Sequence, residues 1–197
     1  RWIIRQACQQ LAAWNAAGYR VSMAINVSAH QFNDPDFLSS IVDPVRECQL
    51  DAAQLDFEIT EGLLIDNVAD AVEKLKQIKQ LGASVSIDDF GTGYSSLSAL
   101  QQFPISTLKI DKSFVRDVVT NPDDATIVDT IIQMGRNLNM DVVAEGVEEE
   151  AQLIFLQKLG CTYVQGLLFG DPMSADNYLE LLLAQAEGTD THRALFA

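Results

Sequence analysis

Ala83-Ser84-Val85-Ser86-Ile87-Asp88-Asp89 is a short apolar run that stops on two adjacent carboxylates. A buried strand gains nothing from that ending unless the charges do chemistry, and the same design recurs along the chain. Val21-Ser22-Met23-Ala24-Ile25 runs into Asn26, Leu55-Asp56-Phe57 into Glu58, and Thr107-Leu108 into Lys109. Met140-Asp141-Val142-Val143-Ala144 runs into Glu145, and Thr162-Tyr163-Val164 into Gln165. All six segments are mostly apolar and partly β-branched, as strands covered on both faces are. Their polar ends follow one another at intervals of 20 to 36 residues.

The intervening stretches carry the period of a helix. From Asp70 to Leu81, residues Ala71, Leu75 and Ile78 fall on one side and Glu73, Lys74, Lys76 and Lys79 mostly on the other, with Gly82 as the stop. From Asp124 to Leu138 the apolar stripe is Ile127, Ile131, Ile132, Met134 and Leu138, introduced by Asn121-Pro122-Asp123. Alternating β and α units predict an α/β fold of the TIM-type (β/α) barrel class, in which the C-terminal ends of successive strands converge on one mouth. Such a barrel has eight strands and takes about 250 residues; six strands are visible here. The chain opens on a helix, Trp2 to Ala16, with Ile3, Ala7, Leu11 and Trp14 on one face and Gly18 at its end. That order implies a strand ahead of it, so the sequence reads as the C-terminal three-quarters of a barrel whose N-terminal strand or strands lie outside it. One domain is expected over residues 1–186, followed by a flexible polar tail over 187–197.

Composition narrows the function. With 48% hydrophobic residues in 197, the chain can bury a sizeable core, and no apolar run is long enough to span a bilayer. Cys8, Cys48 and Cys161 are scattered and odd in number, which predicts free thiols in a reducing cytoplasm, either of a soluble protein or of the cytoplasmic domain of a membrane protein. The 28 acidic residues outnumber the 13 basic ones, giving a net charge of −15. Binding to a nucleic acid polymer through its backbone is thereby excluded. A phosphorylated substrate remains compatible if divalent cations stand between it and the carboxylates. Carboxylate and amide oxygens are hard ligands that suit Mg²⁺ or Mn²⁺, and the lack of a histidine cluster argues against zinc.

In order and spacing, six motifs resemble those of the EAL-domain family of bacterial cyclic di-GMP phosphodiesterases. They are Asn26-Val27-Ser28-Ala29-His30-Gln31-Phe32, Glu58-Ile59-Thr60-Glu61, Asp88-Asp89-Phe90-Gly91-Thr92-Gly93-Tyr94-Ser95-Ser96-Leu97, Leu108-Lys109-Ile110-Asp111, Ala144-Glu145-Gly146-Val147-Glu148 and Gln165-Gly166. The resemblance runs from Arg1 to about Leu183. It implies hydrolysis of cyclic di-GMP to linear pGpG with two Mg²⁺ or Mn²⁺ ions. Asn26, Glu58 and Asp88 match ligands of one ion, and Asp88 with Asp89 those of a second, Asp88 bridging. Lys109 matches the residue that holds the attacking water or stabilises developing charge, with Glu145 and Gln165 as catalytic partners that fix ligands or water. It also implies a homodimer, and a parent protein in which a sensory or diguanylate-cyclase-like domain is fused upstream. A non-catalytic cyclic di-GMP receptor on the same fold is the alternative.

Other residues divide between chemical and structural readings. Asp111, two residues past Lys109, either points into the same mouth or pins a loop. Glu61 and Glu148 suit structural tasks; in the family the match to Glu61 anchors the loop after the aspartate pair. His30 and His192 have no companion ligands and are read as non-catalytic. Tyr94, Ser95 and Ser96 suit the start of a helix better than a phosphate site. Two departures stand out. The Glu-Ala-Leu stretch that names the family would precede Arg1 and its glutamate is a metal ligand there, so the residues as given are expected to be weakly active or inactive. Leu167 and Asp171 stand where the family often has an aromatic and a basic residue, which weakens guanine or phosphate contacts unless the positions are superficial.

Overall fold

The computed structural model describes residues 1–65, 67–93 and 100–186. Tyr94, Ser95, Ser96, His192 and the 187–197 tail lie outside them. Six strands form one fully parallel sheet in chain order: β1 (Met23–Val27), β2 (Leu55–Thr60), β3 (Ser84–Phe90), β4 (Thr107–Ile110), β5 (Asp141–Ala144) and β6 (Tyr163–Val164). The helices are α1 (Trp2–Ala16), α2 (Ala29–Phe32), α3 (Phe37–Glu47), α4 (Glu61–Ile65), α5 (Val68–Leu81), α6 (Lys112–Arg116), α7 (Pro122–Leu138), α8 (Glu150–Leu159) and α9 (Ala175–Ala186). None of them is long and apolar enough to cross a membrane.

A parallel sheet in sequential order, with helices described in the β1–β2, β2–β3, β4–β5 and β5–β6 connections, is the stave arrangement of a TIM-type barrel. Alternate residues of each strand face the helices: Ile25 and Val27, Leu55, Phe57 and Ile59, Val85 and Ile87, Leu108 and Ile110, Val142 and Ala144 are all buried. They share one core with Leu11, Ile41, Leu75, Ile78, Ile131, Ile132, Leu153 and Leu156 from the helices. Burying a side chain of this kind stabilises by roughly 1.5–3 kcal/mol, so this layer holds the fold. The opposite, inner face departs from the sequence expectation of strands apolar on both sides. It carries Asn26, Asp56, Glu58, Ser84, Ser86, Asp88, Thr107 and Lys109. The buried acids there are compensated in part by the Lys109 ammonium, which lies against Glu58 and Asp88.

The strand limits also differ from those read in sequence. Asn26, Glu58, Asp88, Asp89 and Lys109 lie within strands rather than just beyond them. Ladder hydrogen bonds use backbone groups, so a polar side chain that finds a partner does not end a strand. Glu145 and Gln165 do follow their strands, yet their N–H groups still donate to Ile110 (3.2 Å) and Ala144 (2.8 Å) carbonyls.

Helix ends follow the sequence signals. Asn67 caps α5 by accepting from the Asp70 N–H, and Gly82 closes it at φ 101°. Asn121 caps α7, Pro122 opens it, and Asn139 ends it in the left-handed region. The expected faces largely hold, with Met134 and Leu138 of α7 packed against the core, and differ at one edge of each helix. In α1 the core takes Ile4, Ala7, Cys8, Leu11 and Trp14 and leaves Ile3 exposed; in α7 it takes Val128, Ile131, Ile132 and Gly135 and puts Ile127 at the rim. Where two adjacent helix faces are both apolar, the position of the sheet decides between them.

Among the described residues no ladder joins β6 to β1, and the sheet is not closed by hydrogen bonds. A cleft of about 1160 Å³ lies at this seam, lined by Ile3, Ala7 and Trp14 of α1, Met23 and Ala24 of β1, Val164 of β6, and Phe169 and Tyr178 beyond it.

Candidate active site

Adjacent residues of a regular strand point to opposite faces, so Asp88 and Asp89 should not meet at one site. The β3–β4 ladder resolves this. Ile87 pairs with Leu108 and Phe90 with Ile110, leaving two residues of β3 opposite the single Lys109. This is a β-bulge, and Asp89 sits in it at φ 53°. Oxygens of Asp88, Asp89 and Glu145 consequently come within 4.8 Å of one another.

Lys109 stands in the middle of the inner face. Its Nζ lies 2.7 Å from Glu58 Oε1, 2.7 Å from Glu145 Oε1 and 3.0 Å from Asp88 Oδ1. The ammonium is almost fully buried, its side chain only 5% exposed. Three strands supply this contact set: β2 and β3 give acids and β4 gives the base, with Glu145 arriving just past β5. The approach to Asp88 Oδ1 is close but badly angled, and that buried oxygen accepts no hydrogen bond.

Electrostatics at this point are dominated by crowding. Burial raises the Glu58 and Glu145 carboxyls above the ordinary range, while hydrogen bonds from Lys109 pull both back. Burial, then the charges of Asp88 and Asp111, raise Asp89. Burial disfavours the charged form of Lys109 too, but its bonds to Glu145 and Glu58 outweigh that and its pKa is raised. One ammonium faces four carboxylates, so negative charge is left over. A buried acceptor without a donor and an excess of anionic oxygens fit a divalent, oxygen-seeking cation. Among the described residues, Asp88, Asp89 and Glu145 are grouped closely enough to hold one, and Lys109 links Glu58 to this group.

The other residues singled out in the sequence take distinct places. Asn26 is in register with Glu58 on the neighbouring strand, exposed at the end of β1. Gln165 is exposed and lines the seam cleft. Asp111 takes the structural role considered for it: it caps α6, accepting from the Ser113 N–H at 3.0 Å and from the Ser113 hydroxyl, and its charge also acts on Asp89. Burial opposes ionisation of Asp111, but the Ser113 bonds outweigh it and lower its pKa. Glu61 is buried at the start of α4 and accepts from the Gly91 N–H at 3.2 Å. A Cβ on Gly93 would lie 2.8 Å from Glu61 Oε1, so the turn after the aspartate pair is packed closely onto this carboxylate. Glu148 and His30 are exposed. Leu167 and Asp171 are also exposed, on the segment after β6.

Asp56 and Ser86 escaped the sequence reading. The Ser86 hydroxyl donates to Asp56 Oδ2, and Asp56 Oδ1 is buried without a hydrogen bond. Burial raises the Asp56 carboxyl, with the Ser86 bond opposing. The available signal was its spacing: Asp56 precedes Glu58 by two, which puts both on one face of β2.

Comparison with known proteins gives a consistent result. A family model described as the EAL domain matches residues 1–172. The signaling protein YkoW of Bacillus subtilis is 43% identical over 185 residues, covering 94% of this chain and 23% of that protein. The bifunctional diguanylate cyclase/cyclic di-GMP phosphodiesterase MucR of Pseudomonas aeruginosa is 41% identical over 179 residues, covering 90% and 26% respectively. A solved structure of the MucR phosphodiesterase in complex with cyclic di-GMP has a TM-score of 0.87 at 40% identity and covers 90% of this chain and 72% of that one. The chain spans about a quarter of the length of these curated relatives.

Proposed function

Because the chain belongs to the EAL-domain family, we infer that it forms most of a phosphodiesterase domain that opens cyclic di-GMP to linear pGpG with two Mg²⁺ or Mn²⁺ ions. The observation that carries this reading is the cluster of Glu58, Asp88 and Glu145 around Lys109, with Asp89 turned into it by the bulge. MucR, whose phosphodiesterase is known in complex with cyclic di-GMP, supports the choice of substrate. Its second activity, diguanylate cyclase, supports a parent protein with such a domain fused upstream. Residues 1–186 would be the domain portion, acting as a homodimer in the cytoplasm.

Asn26, Glu58, Asp88 and Asp89 would hold the ions, Asp88 offering an oxygen that accepts no hydrogen bond among the described residues. Ions bound there supply Lewis-acid polarisation of the phosphate and a more acidic water. Lys109 keeps its proton and places a fixed positive charge beside the reacting phosphate, where it counters charge that develops in the transition state. Glu145 anchors the Lys109 ammonium, and Gln165, across the seam, would orient water or substrate. Glu61 holds the turn after Asp89 and thereby the bulge.

The test is hydrolysis by the intact protein that contains these residues. With Mn²⁺, cyclic di-GMP should be converted to the linear dinucleotide, chelator should stop the reaction, and Glu58→Gln should reduce turnover by on the order of 100-fold or more. Tight cyclic di-GMP binding with no product, unaffected by chelator, would replace this reading with that of a receptor.

A further inference from the structure

Lys109 contacts Glu58 and Asp88, which the functional reading assigns to the metal ions, and Glu145, whose oxygen clusters with those of Asp88 and Asp89. The ammonium reaches Glu58, Asp88 and Glu145 at 2.7–3.0 Å, which is the surrounding a bound cation would need from those three side chains. We propose that Lys109 is a tethered counter-ion that competes with divalent metal for the site. It holds the carboxylates together when metal is absent, and it keeps metal affinity low when metal arrives. This rests on the functional reading above, and it adds a role for Lys109 in setting how much metal the protein requires.

Geometry supports competition over simple coexistence. Glu58 and Glu145 each give one oxygen to Nζ at 2.7 Å, and such a charge-assisted bond is strong in a water-poor interior. A metal ion taking those oxygens must displace the ammonium or share them with it, and two cations close together repel. Asp88 Oδ1 is the exception. It lies 3.0 Å from Nζ without forming a hydrogen bond and is buried, so it is the point at which a metal can enter before Lys109 yields. The lysine stem emerges from β4, opposite the bulge that carries Asp88 and Asp89. The ammonium is therefore fixed to the sheet and cannot diffuse away as a solvent cation would.

The experiment measures Mn²⁺ affinity without cyclic di-GMP, by calorimetry and by counting free Mn²⁺ in electron paramagnetic resonance, on the intact wild-type protein and on Lys109→Met, Lys109→Gln and Lys109→Arg. Removing one positive charge from among these carboxylates should tighten Mn²⁺ binding at least about tenfold in the Met and Gln variants. Lys109→Arg, which keeps the charge, should bind no tighter than wild type. Without metal the Met and Gln variants should melt below wild type, and Mn²⁺ should close that gap. A Met variant that folds only with Mn²⁺ would be the same result in its extreme form. Equal or weaker Mn²⁺ binding in both neutral variants would overturn the proposal while leaving the hydrolytic reading intact. A wild-type protein that binds no Mn²⁺ and turns over no substrate would instead remove the functional reading and this inference with it.

Discussion

Asp89 shows how much a single backbone angle decides. At φ 53° it adopts a conformation that costs most L-residues roughly 1–2 kcal/mol, while asparagine and aspartate enter it more readily. The bulge needs that angle, and the carboxylate uses the resulting direction to join Asp88 and Glu145. Charge and conformation can be separated by substitution. Asp89→Asn keeps the conformational preference and removes a repelling charge, so it is expected to unfold in urea at the same concentration as wild type or higher. Asp89→Val, β-branched and ill-suited to positive φ, is expected to lose about 1–2 kcal/mol. Equal stability of the two variants would show that the bulge backbone is not strained for a branched residue. The acids themselves were legible in the sequence as polar interruptions of apolar runs. That two neighbours could serve one mouth was not, because strand periodicity alone sends them to opposite faces.

At the level of elements, α7 against β5 sets two opposing effects in direct competition. Gly135 lies inside α7, where alanine would be favoured by about 1 kcal/mol on intrinsic helix propensity. A Cβ at that position would sit 2.3 Å from Val142 Cγ2 of β5, and overpacking of this kind costs about 1–3 kcal/mol. The clash should win. Gly135→Ala is expected to lower stability in chemical denaturation, and combining it with Val142→Ala should recover part of the loss, giving a coupling of about 1 kcal/mol or more in the double-mutant cycle. Additive effects would mean that α7 shifts away from the sheet at no cost. The alternation of strands and helices, and end signals such as Asn121 and Gly82, could be read from local chemistry; the Asn67 cap could not, as the sequence reading starts that helix at Asp70. The edges of the buried faces of α1 and α7 could not either, since Ile3 beside Ile4 and Ile127 beside Val128 are equally apolar and only packing selects between them.

For the whole molecule, the buried Cys8 and the partly buried Cys161 give a readout that does not depend on the active site. All three cysteines are free. Burial pushes both Cys8 and Cys161 up to about 11, above the value of about 8.5 for an exposed thiol. A folded state that holds these protons longer than the unfolded state is at full advantage below about pH 8.5 and loses it as pH rises towards 11. The melting temperature is therefore expected to fall between pH 9 and 11, and less steeply in a Cys8→Ala/Cys161→Ala protein; identical alkaline slopes would contradict the assignment. At pH 8 both thiols should also react slowly with alkylating agents. The sequence by itself determined the class of fold, the order of its strands and the identity of the acids and the lysine, because hydrophobic period and residue chemistry are local properties. Only the tertiary structure decided that the inner sheet face is polar and that a bulge brings Asp88 and Asp89 to one side. It alone placed the Lys109 ammonium between Glu58 and Glu145, because ladder register and charge pairing join residues far apart in the chain.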